Sequence, residues 1–236
     1  MKKSGMKLCA LALAAAMLGL TACGSSSGTT DTTAAAGGAP ATEETTAAAA
    51  VAEGESVSQD TDIIGAVNVD FTTLDPLDTS DTLSGGVQRL IMDGLFGFDD
   101  DMKIIPMLAT EYTANEGATE FTIKLREGIT FSDGTPWNAE AAKANFDRWA
   151  DKSLGLKRTT LLCNILDTTT VQDDYTIVVK LSSPFGAFIE TLAHPACVIM
   201  SPRVIEQGSQ ACAQAPIGTG QYTFKEWIQG DHLTVE

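Results

Sequence analysis

The sequence predicts a mixed α/β domain of the α+β kind, preceded by an export leader and a low-complexity segment. Three observations carry that prediction. Strand-like runs with alternating apolar residues come in pairs around short turns. Single helices with one apolar face stand between those pairs. No aromatic residue occurs before Phe71, so an aromatic-containing core has to be built from there onward. Hairpins separated by lone helices suit a mixed domain better than a doubly wound parallel sheet.

Lys2, Lys3 and Lys7 are the only charges before Asp31, and Leu8 to Leu20 is an apolar run rich in Leu and Ala. A cationic start followed by an apolar stretch too short to span a bilayer reads as a signal peptide over residues 1–22. The run ends Leu20-Thr21-Ala22-Cys23-Gly24, which resembles the lipobox of bacterial lipoproteins. In that motif small residues fit the peptidase and the following Cys is diacylated on sulfur. Cys23 is therefore the expected lipidation site, holding the chain at a membrane without spanning it. An ordinary cleaved signal would not explain why low-complexity sequence starts directly after Cys23. Residues 23–58 are mostly Gly, Ser, Thr, Ala, Pro and Glu. Such a stretch buries too little apolar surface to offset its ordering entropy, so it reads as a flexible tether.

Removing residues 1–22 takes three lysines and no acid from the 15 basic and 31 acidic residues, which leaves a net charge of −19. That charge repels phosphate backbones, so nucleic acid is not expected as a partner. Cys163, Cys197 and Cys212 lie far apart, without CxxC spacing and with only two histidines in the chain, so no zinc site and no metal cofactor is expected. Isolated buried thiols are the expected state of Cys163 and Cys197, with a Cys197–Cys212 bridge open as an alternative.

Folded sequence is expected over 59–236, about 180 residues, long enough to bury roughly 70% of its unfolded surface. Ile63 to Phe71 has the alternation of a first strand, ended by the turn Leu74-Asp75-Pro76. Thr82 to Asp93 carries Val87, Leu90 and Ile91 at helical spacing, with Ser80 or Asp81 as N-cap. A hairpin follows: Phe96 and Phe98, the turn Asp99-Asp100-Asp101, then Ile104 and Ile105. The three carboxylates lack the ligand spacing of a calcium loop and read as a solvated turn. Phe121 to Arg126 alternates as a half-buried strand. Ser132-Asp133-Gly134-Thr135-Pro136 is a turn, and Asn138 caps a helix with Ala142, Phe146 and Trp149 on one face. That face is expected to pack against the strand of Phe121, Ile123 and Leu125. Thr168 to Leu181 is a second hairpin around Asp173-Asp174, with Tyr175, Ile177, Val179 and Leu181 inward. Pro184 opens a helix burying Phe185, Phe188, Ile189 and Leu192. A short strand at Cys197 to Met200 follows, then Gly218-Thr219-Gly220 and a last hairpin, Tyr222 to Ile228 and His232 onward, around Gly230-Asp231.

Four stretches carry a resemblance to a known family. They are Leu74-Asp75-Pro76 with Asp93-Gly94-Leu95; Pro106-Met107-Leu108-Ala109; Phe121 through Arg148, containing Lys124-Leu125-Arg126-Glu127-Gly128, Phe131-Ser132-Asp133-Gly134-Thr135-Pro136 and Ala139-Glu140; and Pro216-Ile217-Gly218-Thr219-Gly220. In this order and spacing they resemble the N-terminal part of the family 5 extracellular solute-binding proteins. Those proteins serve dipeptide, oligopeptide, glutathione and nickel importers. Gln221 departs from the family, which usually has Pro there.

The resemblance implies a two-lobe architecture like that of periplasmic binding proteins, closing around a solute by a hinge, with only the N-terminal part present here. It implies a peptide or other small-molecule solute, delivery to the permease subunits of an ABC importer, and a site on the outer face of the cytoplasmic membrane. The share of the cleft within these residues is expected at Thr79, Ser80, Asp81 and Thr82 and around His194. A helix cap and a plain turn are the competing readings of those two places. The Asp133 motif is expected to specify fold and not to bind. The sequence leaves the solute open among peptide, glutathione, nickel chelate and opine. A surface-anchored hydrolase lacks a Gly-x-Ser-x-Gly elbow or a His-Glu-x-x-His pair, so no enzyme is expected. A structural or adhesive surface lipoprotein is the alternative, though the folded part shows no repeats.

Overall fold

A computed structural model describes residues 63–236. The expected signal peptide, Cys23 and the tether lie outside the described residues.

The predicted helix forms over Thr82–Ile91 (α1), capped by the Asp81 carboxylate, which accepts the Ser84 N–H at 2.7 Å. The first predicted hairpin is β1 (Phe96–Phe98) against β2 (Ile104–Pro106). Its acidic turn is closed by the Asp99 carboxylate, which accepts the backbone N–H groups of Asp101 and Lys103. β3 (Ala109–Ala114), β4 (Glu120–Leu125), β5 (Leu166–Asp173) and β6 (Thr176–Leu181) form an antiparallel sheet in the order β3-β4-β6-β5. In β4 the residues Phe121, Ile123 and Leu125 are buried, and in β6 Ile177, Val179 and Leu181, as period-2 alternation requires. α2 (Ala139–Ala150) covers the β5–β6 half of that sheet. It buries Ala142, Phe146 and Trp149 in one core with the apolar residues of β4. α3 (Phe188–Leu192) lies against β1, and its Phe188 ring sits 4.8 Å from that of Phe121. α4 (Pro202–Gln207) and α5 (Ser209–Gln214) pack together, and β7 (Phe224–Ile228) pairs with β8 (His232–Val235) as the last hairpin.

Four expectations are corrected. Ile63 to Phe71 is not a strand: Ile63 and Ile64 are more than nine-tenths exposed, and no neighbouring strand pairs with them. Alternation alone does not make a strand without a ladder partner. The helix after Pro184 begins only at Phe188, because residues 182–187 first make a turn in which the Phe185 N–H bonds to the Ala118 carbonyl. Cys197 to Met200 is buried but contributes a single bridge, Val198 to Gly94, in place of a strand. The three cysteines are free, so the Cys197–Cys212 bridge is not formed. Burial pushes the Cys197 thiol up to about 12 against the pull of Arg158, which makes it inert.

Candidate ligand-binding cleft

The sequence motifs turn out to hold one another. Asp75 is 1% exposed and pairs through both carboxylate oxygens with the guanidinium of Arg148, itself 8% exposed, near the end of α2. The same carboxylate accepts the Leu77 N–H, so one buried charge fixes both its own turn and the helix. Asp133 bonds the Thr135 N–H at 2.9 Å and the Ser201 hydroxyl at 2.8 Å, while Ser132 donates its backbone N–H to the Gly218 carbonyl. Burial works to raise the Asp133 carboxyl, but these donors and Arg203 hold it below the usual range. The buried Asn145 side chain spans the backbone of Met200, accepting its N–H and donating to its carbonyl. These contacts give the turn at Asp133 the fold-specifying part expected of it.

Gly218-Thr219-Gly220 closes α1. Gly220 and Tyr222 donate backbone N–H groups to the carbonyls of Ile91 and Leu90, two of the orphan acceptors at a helix end. A Cβ on Gly218 would stand 2.3 Å from the Ile91 oxygen, and one on Gly220 would stand 2.5 Å from the Ile91 carbonyl carbon. Both positions therefore need glycine. Thr219 reaches between them to donate its hydroxyl to Asp93 at 3.0 Å.

The predicted site residues divide into two places. At the N-terminal end of α1, Asp81 is used up internally: one oxygen takes the Ser84 N–H, and the other takes the hydroxyls of Thr72 and Thr79. Burial alone would raise this carboxyl, but those donors bring it down to about 2. Thr79 is buried, whereas Ser80 and Thr82 are exposed on the same loop. At the other end of the helix, about 15 Å away for ten residues, His194 stands where the chain leaves α3. Its Nδ1 accepts the Ala196 N–H at 3.0 Å and so caps a short 3-10 turn. Burial and the nearby Arg158 charge hold this imidazole below its ordinary pKa.

His194 lines a small cleft of about 70 Å³ with Arg89, Met92, Asp93, Phe96 and Met107. The sequence reading found His194 but not the others. Arg89 lies in the last turn of α1, where a cation is expected on helix-dipole grounds alone. Only the fold brings it to His194. Thus the structure places Thr79–Thr82 and His194 at opposite ends of α1, and not in one pocket. Among the described residues no cluster of three His, Cys, Asp or Glu is placed to hold a metal. No helix among them is long and apolar enough to cross a membrane.

Residues 103–236 match the family described as bacterial extracellular solute-binding proteins, family 5 Middle. The glutathione-binding protein GsiB of Escherichia coli (strain K12) is 45% identical over 175 residues, covering 74% of this chain and 34% of the relative. Among solved structures, the PBP AgaA of A. tumefaciens R10 in complex with agropinic acid superposes with a TM-score of 0.65 at 32% identity, over 70% of this chain and 33% of that one. The periplasmic binding protein DppA of Helicobacter pylori in complex with the peptide STSA gives 0.62 at 25% identity, over 70% of this chain and 37% of that one. The chain therefore spans about a third of the length of the relatives it matches. With its mixed sheet-and-helix frame held by the motifs above, the chain belongs to the bacterial extracellular solute-binding proteins of family 5.

Proposed function

We propose that the protein captures a peptide or similar small solute outside the cytoplasmic membrane and delivers it to the permease of an ABC importer, held near that permease by lipid on Cys23 and the tether of residues 23–58. The observation that carries this reading is the 45% identity to a glutathione-binding protein over 175 residues. In this chain the buried pair Asp75–Arg148 and the α1 cap hold the frame that presents the cleft. Solute contacts are assigned to two separate places, the exposed hydroxyls of Ser80 and Thr82 at one end of α1 and His194 at the other, with Thr79 and Asp81 holding the first loop from inside. The protein works as a binding module without chemistry of its own.

Thermal unfolding in the presence of solutes tests this. Glutathione, a di- to pentapeptide panel and a nickel–histidine chelate are each added to the protein. A ligand of the native state stabilises it by mass action; about 10 mM of a solute with a Kd of about 1 mM adds about 1.4 kcal/mol. For a domain of this size that is about 4 °C in Tm. Stabilisation by the peptide class is the expected result. If no solute in the panel moves Tm, solute capture by these residues is refuted and the adhesive alternative gains. Membrane attachment is read separately: Cys23→Ser should move the protein from the membrane to the soluble fraction.

A further inference from the structure

The cleft at the C-terminal end of α1 has a charge and hydrogen-bonding character that its surroundings lack. The chain carries 31 acidic residues against 15 Lys and Arg, yet one arginine lines the cleft with His194 and a second lies within electrostatic reach of it. Arg89 is exposed on the cleft wall, and Arg158, half-buried, is close enough to act on the imidazole electrostatically. Neither forms an ion pair among the described residues, whereas most of the lysines there do. The imidazole adds a directed donor. Because Nδ1 accepts the Ala196 N–H, a neutral ring must carry its proton on Nε2. That N–H has no partner among the described residues. The remaining charged group on the cleft is Asp93, one of whose oxygens is already taken by Thr219. Phe96, Met107 and Met92 supply an apolar floor.

An unpaired guanidinium and a free imidazole N–H over an apolar floor supply the charge, the donor and the apolar contact that a carboxylate on a short aliphatic stem takes. We propose that the Arg89–His194 cleft is a carboxylate-binding subsite, with Arg89 supplying charge and His194 Nε2–H supplying direction, so that solutes bearing a carboxylate are preferred. This rests on the reading that the chain captures a solute, and it names the chemistry of part of that solute.

The test uses the whole chain at pH 7, with glutarate, glutathione and the dialkyl ester of glutathione as probes, and follows the backbone amide resonances around the cleft by NMR in every protein, with the His194 ring resonances added in those that keep the histidine. Two variants accompany it. Arg89→Gln removes the cation from an exposed helix position. His194→Asn keeps an N-cap acceptor for Ala196 while removing the outer N–H. Glutarate and glutathione are expected to shift the His194 signals saturably, with a Kd of the order of millimolar, and the diester is not. Arg89→Gln should weaken glutarate binding at least tenfold, and His194→Asn several-fold at unchanged Tm. Equal binding of the diester, unchanged affinity in Arg89→Gln, or the same shifts from sodium chloride at matched ionic strength overturns the proposal. Inorganic phosphate binding as tightly as glutarate overturns its carboxylate selectivity. If peptides raise Tm equally in the parent and in Arg89→Gln, the subsite is wrong while solute capture stands. If glutarate binds but no peptide-class solute raises Tm, the subsite stands and solute capture fails.

Discussion

Replacing Arg148 with Met would leave the Asp75 carboxylate, 1% exposed, without its counterion. Exposed ion pairs contribute about 0–1 kcal/mol, but this one is buried on both sides, and breaking a buried pair from one side costs about 3–5 kcal/mol. Asp75 cannot escape to solvent, because its carboxylate also holds the Leu77 N–H and its carbonyl accepts from Asp78 and Thr79. Arg148→Met is therefore expected to cost about 4 kcal/mol, a loss of about 12 °C in Tm for a domain of this length. Asp75→Asn keeps the acceptor for Leu77 and leaves the guanidinium facing a neutral amide. The double variant Asp75→Asn/Arg148→Met removes both charges and should recover about 2–3 kcal/mol relative to the sum of the single changes. Urea unfolding of the four proteins, monitored by far-UV circular dichroism, closes the cycle. A cost for Arg148→Met within about 0.5 kcal/mol, the surface range, or strict additivity in the double variant, would show that the pair does not join the Asp75 turn to α2.

Other perturbations follow from the same frame. Phe146→Ala empties a fully buried site beside Trp149, whose ring lies 4.8 Å away; it should cost about 3 kcal/mol and change the tryptophan emission, and an effect within about 0.5 kcal/mol would contradict the packing. Gly218→Ala drives a methyl to 2.3 Å from the Ile91 oxygen and should cost about 2 kcal/mol or more. Gly86→Ala meets no atom within 4 Å on an exposed helix face and should stabilise by about 0.5–1 kcal/mol; equal effects of the two alanines, read by thermal melts, would refute the cap. Asp81 has a folded pKa of about 2, below its ordinary 3.8, so the folded state prefers the charged form. Its contribution is complete above about pH 5 and is lost as pH falls through 2, and in Asp81→Asn that acid-side slope of stability should flatten.

The sequence was most readable where a local pattern carries its own partner. β4 and β6 show period-2 alternation and bury the expected residues, and Asn138 and Asp81 cap their helices as side chains of that type do. It was least readable where burial is decided by distant backbone. In α1 the apolar spacing points to Val87, Leu90 and Ile91; Ile91 is buried as expected, but it shares the buried face with Ser84 and Gln88. Its polar members are buried because they serve the preceding segment: Ser84 Oγ accepts the Thr72 N–H, and Gln88 donates to the Thr73 carbonyl. β3 gave no signal because it is an edge strand whose residues after Ala109 are exposed, and α4 and α5 are too short for a helical period to show. At the site, His194 stood out by its type. Arg89 did not, since an arginine in a last helical turn is an ordinary cap until the fold sets it beside a histidine from another part of the chain.

The cap on α1 also sets the order in which the molecule can form. The carbonyls of Leu90 and Ile91 wait for the amides of Tyr222 and Gly220, and the Leu74 N–H waits for the Ala213 carbonyl. A helix of ten residues with two adjacent glycines is marginal alone, so α1 has little reason to persist before those late segments arrive. Closing loops of this length costs entropy before any contact repays it, and chains dominated by such contacts fold slowly. The first helix of the described residues is thus among the last to be secured, because its closing donors lie near the end of the same stretch.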